Sequence, residues 1–250
     1  MGLFRSRYAD GDRIEVAGAP VVLRVSARAS RVSLRLDAAR REIIATAPAA
    51  RMLGDAAAFA GERAGWIRAR LDELPDRAAI AAGMIITVAG TPCRLEAGTG
   101  RARWRSGTET EPWALIVPGV GEKFARGVVR MLKAEARRVL TDRTALYAKQ
   151  LGKPMPVVSM MDAKARWGSC RQPRARGFGA PAEVGRIRYS WRLILAPFAV
   201  MDYVAAHECA HLVEANHSAR YWAVLHGLVG DERPHRAWLR AHGAGLHAFG

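Results

Sequence analysis

The sequence predicts an α+β fold: a β-rich N-terminal region with one helix, residues 1–118, and a helix-rich C-terminal region, residues 119–250. Three observations predict it. Residues 20–48 alternate apolar and polar side chains with the period of two of a half-buried strand. Residues 122–149 space their apolar side chains as a helix does. A second helical run starts after Pro197 and contains His207-Glu208-Cys209-Ala210-His211.

In chain order, Val21, Leu23 and Val25, then Val32, Leu34 and Leu36, then Ile43, Ile44 and Ala45, describe an antiparallel meander with turns at residues 28–31 and 37–41. Residues 52–74 turn helical through Phe59, Trp66, Ile67 and Leu71, and Pro75 follows the end. Strands return at residues 84–88, 93–95 and 113–117. Between the last two, the Gly-, Thr- and Arg-rich residues 98–111 predict a mobile loop, with Trp104 as its anchor or as a substrate contact. Internal repeats are not evident. Phe124, Val128, Leu132, Ala136, Val139 and Leu146 carry a long helix, which Gly152-Lys153-Pro154 stops. Residues 157–161 and 185–190 read as short strands on either side of a segment at 164–170.

The chemistry concentrates in residues 206–218. On a helix, His207 and His211 return to one face about a turn apart and can share one metal ion. Glu208 beside them can reach metal-activated water without binding the metal. Catalytic zinc takes three protein ligands, and His217 is the first candidate for the third. Six more helical residues would carry it roughly 240° around and about 9 Å along the axis, so the helix has to end before it. Asn216 suits that break, because Asn tolerates the left-handed conformation that ends helices. Glu214 is the competing ligand. Val200, Met201, Val204 and Ala205 give this helix a buried side, which carries its histidines inward to where a metal would satisfy them. Cys209, two residues from His207, points to another side of the helix and reads as a small core residue.

These residues also carry a resemblance. Arg166-Trp167-Gly168-Ser169-Cys170, Trp191-Arg192-Leu193-Ile194-Leu195-Ala196-Pro197, Asp202-Tyr203-Val204 leading into the histidine motif, Asn216-His217-Ser218 and Tyr221-Trp222 together resemble the YgjP-like metallopeptidase family. That family is similar to the SprT and WLM groups of small zincins. The resemblance extends over about residues 21–239, with Cys209 where Leu is usual. It implies a zincin-like core holding one Zn2+ per chain, with His207, His211 and His217 as ligands and Glu208 as the catalytic base acting on a peptide or protein substrate. It also places residues 185–190 at the upper edge of the substrate cleft, where an unpaired strand edge would pair with an extended peptide. Tyr189 would then contact the transition state, and Trp167 would shape the cleft.

Composition bounds the rest. No run approaches the roughly 18 apolar residues of a membrane span, and residues 1–12 lack the apolar segment of a secretory signal. Cys93, Cys170 and Cys209 include no CxxC pair and predict no disulfide framework, so a cytoplasmic protein is expected. The net charge of +16 supports weak nucleic-acid binding through a basic surface, with local groups at residues 101–105 and 171–176. Two further readings therefore stand beside the peptidase. One is a DNA- or polyanion-associated protease or binding protein of SprT-like type. The other is a non-catalytic structural zinc protein closed by Glu214 or Cys209.

Overall fold

The computed structural model describes residues 7–37, 40–74, 79–162, 166–173 and 184–250. The chain divides into two compact units, Met1–Asp76 and Arg77–Gly250. The expected division after residue 118 groups the two early sheets by composition, whereas this division groups residues by contact.

In the first unit, β1 (Arg13–Val16) and β2 (Ala19–Val25) pair antiparallel across Ala17 and Gly18. Their φ values, 52° and 80°, are the positive pair that lets a two-residue turn follow the twist of its strands. β3 (Ser33–Asp37) and β4 (Glu42–Ala47) complete a sheet of order β1-β2-β4-β3. β4 runs parallel to β2, pairing Val21 with Ile43 and Leu23 with Ala45. The expected meander is therefore corrected. The central strands β2 and β4 are those whose inward residues are fully buried, and β3, with Arg35 exposed, takes an edge. The predicted turn at 37–41 falls partly on residues 38–39, outside the described residues.

The single helix expected over 52–74 is two, α1 (Leu53–Glu62) and α2 (Ala64–Asp72), broken at Arg63 with φ −102° and ψ 21°. Gly61 and Gly65 flank the break and weaken helix there. Leu53, Ala56, Ala60 and Ile67 close a core over Val21, Leu23, Ile43 and Ala45. Pro75 lies outside the described residues.

The second unit starts with the same device. β5 (Ile85–Val88) and β6 (Thr91–Gly98) pair across Ala89 and Gly90, with φ 49° and 87°. β7 (Arg103–Arg105) and β8 (Trp113–Pro118) follow, in the order β5-β6-β8-β7, with β6 parallel to β8 and β7 antiparallel to it. The topology of the first sheet is thus repeated. Ile14, Val16, Ala17, Gly18, Pro20 and Leu23 recur 72 positions on as Ile86, Val88, Ala89, Gly90, Pro92 and Leu95. An internal repeat is present after all, and β7 occupies part of the expected loop 98–111. Trp104 pairs with Leu115 and packs on the core, as an anchor.

α3 (Gly121–Gln150) lies close on β8, where a Cβ at Gly127 would run into Val117. It ends as expected at Gly152, φ 62°, with Gly152 N–H donating to the Lys149 carbonyl and Lys153 N–H to that of Ala148. β9 (Val157–Met161), β10 (Gly168–Arg171) and β11 (Arg186–Ser190) form a third sheet of order β10-β11-β9. A 3-10 turn (Trp191–Leu195) leads through Pro197 into α4 (Phe198–Ala210), then α5 (Ala219–Val229) and α6 (Arg233–Ala248). One core joins β6 and β8 through α3 to β11, α4 and α5. Among the described residues, no helix is long and apolar enough to cross a membrane.

Candidate metal centre

α4 is buried on nearly every side, through Val200, Met201, Val204, Ala205, Cys209 and Ala210. Its last turn therefore presents His207 and Glu208 from within the fold. Two anchors hold the helix. Asp202 accepts from the Arg143 guanidinium of α3 at 2.6 and 3.0 Å, and the same guanidinium donates to the Tyr147 hydroxyl at 3.2 Å. The Tyr221 hydroxyl of α5 donates to the His207 carbonyl at 3.1 Å.

The helix ends at His211, φ −66° and ψ −14°. The Leu212 and Val213 amides bond back three residues to Cys209 and Ala210, tightening the last turn, and Gln172 Nε2 caps the His211 carbonyl at 2.8 Å. Asn216 was expected to end the helix in a left-handed conformation and does not. Among the described non-glycine residues only Ala17, Arg41 and Ala89 have positive φ. The chain instead bends through residues 212–217, with Ser218 N–H donating to the Asn216 carbonyl, and the Ser218 side chain caps α5. That bend returns His217 to the helix end.

The ligand atoms of His207, His211 and His217 all lie within 4.8 Å of one another. His207 Nε2 and His217 Nε2 are 3.3 Å apart. Two ligands about 2.0–2.1 Å from one tetrahedral zinc stand about 3.3–3.4 Å apart, so the spacing fits. The tautomers fit as well. His211 Nδ1 donates to the Glu214 carbonyl at 3.1 Å, and His207 Nδ1 lies 3.4 Å from the Tyr203 hydroxyl, which leaves each Nε2 for the cluster. Burial, reinforced by His211 and His217, pushes the His207 imidazolium down to about 4 and keeps the ring neutral, as a ligand must be. Tyr221 packs under all three rings, with centroids 4.6 Å from His211 and His217 and 5.4 Å from His207.

Glu208 is 5% exposed. Burial pushes its carboxyl up to about 8, with Arg166 pulling the other way. A Cβ at Gly168 of β10 would overlap its carboxylate, so that strand approaches the acid as closely as a backbone can. The competing donors turn elsewhere. The Glu214 carboxylate faces Arg220 at 4.0 Å, and Cys209 Sγ lies 3.9 Å from the Thr144 carbonyl with its thiol pushed up to about 12 by burial.

Among the described residues, neither Tyr189 nor Trp167 makes a ring contact with the three histidines. Tyr189 is fully buried, with its hydroxyl 3.0 Å from Thr144 Oγ1. Trp167 stacks on His247 of α6 at 4.6 Å. Strand 185–190 was expected at the edge of the cleft, but among the described residues β11 is the middle strand and the edge beside Glu208 belongs to β10. His226 bonds Glu232 at 2.6 Å, while His235 stacks on Tyr203 and His242 lies tilted against Trp238. Sequence reasoning missed Gly168, Tyr203 and Gln172 as positioning residues, and only the resemblance pointed near Gly168. Of the basic groups, Arg105 is neutralised by Glu96 and Glu111 at 2.7 and 2.9 Å, and residues 174–176 lie outside the described residues.

Three imidazoles beside a buried carboxylate define a candidate metal centre with a hydrolase's set of groups. The YgjP-like, metallopeptidase domain model matches residues 30–242, and the chain belongs to that family. No curated protein and no solved structure matches it. The family's name implies a metallopeptidase, and hence a metal and a protein or peptide substrate.

Proposed function

We propose that the chain is a zinc-dependent metallopeptidase with one zinc held by His207, His211 and His217. The observation that carries this reading is the meeting of three imidazoles with one buried carboxylate and, among the described residues, no fourth protein donor. A structural zinc site is closed by four protein ligands, whereas a catalytic one keeps a place open. Zinc, when bound, supplies Lewis acidity that activates water and polarises a carbonyl.

The chain's own residues do the rest. Glu208 takes a proton from the attacking water and delivers it to the leaving amine, and its burial favours the protonated form that makes the delivery. Tyr221 and the Glu214 carbonyl hold the imidazoles in register. β10 has no strand on its outer side among the described residues, and an extended substrate added there would lie alongside Glu208. The unpaired cysteines fit a reducing, cytoplasmic setting. The DNA-associated reading rests on the net charge, the basic groups at residues 101–105 and 171–176 and the likeness to SprT-like proteins, and salt-sensitive retention on DNA is its test.

The deciding experiment pairs elemental zinc analysis with a peptide-hydrolysis assay. The wild type should hold near one zinc per chain, His217→Ala should lose it, and Glu208→Gln should keep zinc and lose hydrolysis. Full hydrolysis by Glu208→Gln would remove the base from the mechanism, and stoichiometric zinc in His217→Ala would remove the third ligand.

A further inference from the structure

The first unit holds a groove that the metal centre does not use. It has a volume of about 360 Å³ and runs between the edge strand β3 and the helices α1 and α2. Val32 and Leu34 line one side, and Phe59 and Trp66 the other, with Trp66 still 39% exposed. Arg31 and Arg63 also line it, and no acid does. Among the described residues, neither arginine has an ion-pair partner, no strand pairs with the outer side of β3, and no backbone bond outside its ladder engages residues 31–36.

An edge that serves only to end a sheet is guarded by charge over its apolar rim. β3 does carry exposed Arg35, but Arg35 does not line the groove, where the rim is open and apolar and the charges around it have one sign. We infer that this groove binds an extended acidic peptide segment, which adds to β3 as a strand and buries one aromatic or large aliphatic side chain between Leu34 and Trp66. Alternate residues of β3 turn their N–H and C=O away from β4, and a peptide backbone matches that row. Carboxylates flanking the anchor meet Arg31 and Arg63. Single-stranded nucleic acid would also meet arginines and aromatics, but it needs open ring faces, and the Arg63 guanidinium already covers Phe59 at 5.4 Å. The site is a binding site separate from the peptidase reading, and its test needs no hydrolysis.

The test is fluorescence anisotropy on the full chain with a labelled probe, acetyl-Asp-Glu-Val-Phe-Val-Glu-Asp-amide. Saturable binding is expected, weakened at least about tenfold by Trp66→Ala and by the pair Arg31→Glu, Arg63→Glu, with circular dichroism confirming that these surface variants fold. Replacing the probe's Phe by Gly, or N-methylating alternate residues of its backbone, should cause a similar loss. No binding up to about 1 mM, or affinity unchanged in both variants, would overturn the inference. So would a 15-mer oligothymidine that binds more tightly and is lost with the same variants, or a concentration-dependent dimer of this chain that Trp66→Ala abolishes.

Discussion

The two sheets with the same topology do different work. In the first unit, the sheet β1-β2-β4-β3 closes on α1 and α2, and among the described residues its core is made of that unit's own side chains. In the second, Leu95, Leu115 and Val117 share a core with Phe124 and Val128 of α3 and, through them, with α4. The hairpin turns differ in the same way. A Cβ at Gly18 would meet nothing within 4 Å, whereas one at Gly90 would lie 3.2 Å from the Phe198 amide at the start of the histidine helix. The Ala89 amide also donates to the Ile194 carbonyl at 2.6 Å. One local sequence thus makes one local structure twice, and packing alone decides whether that structure supports the site.

If that contrast is right, stripping the metal should affect only one unit. At zinc about a thousandfold above its Kd, chelation removes about 4 kcal/mol of stabilisation. Hydrogen exchange should rise in β9, β11 and α4 on chelation and stay unchanged in β2 and β4. Equal acceleration in both units would break the comparison.

The repeat supplies matched substitutions. Leu23 and Leu95 occupy equivalent places and are both fully buried, so Leu→Ala at either should cost about 2–5 kcal/mol. Only Leu95→Ala should also weaken zinc retention, read by competition with a chromophoric chelator. Gly168→Ala sharpens the contrast at the third sheet. Its new Cβ displaces the Glu208 carboxylate, and if Glu208 is the base as proposed, a shift of about 1 Å should cost on the order of a hundredfold in turnover. Zinc content should remain near that of the wild type; loss of zinc instead would mean that Gly168 supports the whole site and not the acid alone.

What the sequence revealed follows the range of each interaction. The placing of His207, Glu208 and His211 on one helix was legible because helical spacing is local, and distance required the helix to end before His217, though not by the expected left-handed Asn216. The place where α4 ends was not, since Gln172 and Tyr221, remote in sequence, satisfy its last carbonyls. Strand positions were legible from alternation, but pairing order was not, because the crossover that brings β4 beside β2 leaves no mark on the pattern. The burial of Tyr189 was written in Arg186-Ile187-Arg188-Tyr189, where the period of two puts it on the face of Ile187. The contact of Gly168 with Glu208 had no sequence signal beyond the resemblance that named its segment, since only the folded chain brings the two together.

The smallest expected difference tests the repeat most directly. Gly18 and Gly90 have φ of 80° and 87°, so replacing either by Ala forces a Cβ into the left-handed region at about 1 kcal/mol. At Gly18 nothing else happens. At Gly90 the added carbon presses on the backbone of Phe198, and either the hairpin or the start of α4 has to give by a few tenths of an ångström. We expect Gly90→Ala to cost about 1 kcal/mol more than Gly18→Ala in chemical denaturation, with turnover falling severalfold only in Gly90→Ala. Equal costs would mean that the hairpin yields freely. The shared core, and not the turn, would then be what couples the second sheet to the metal centre.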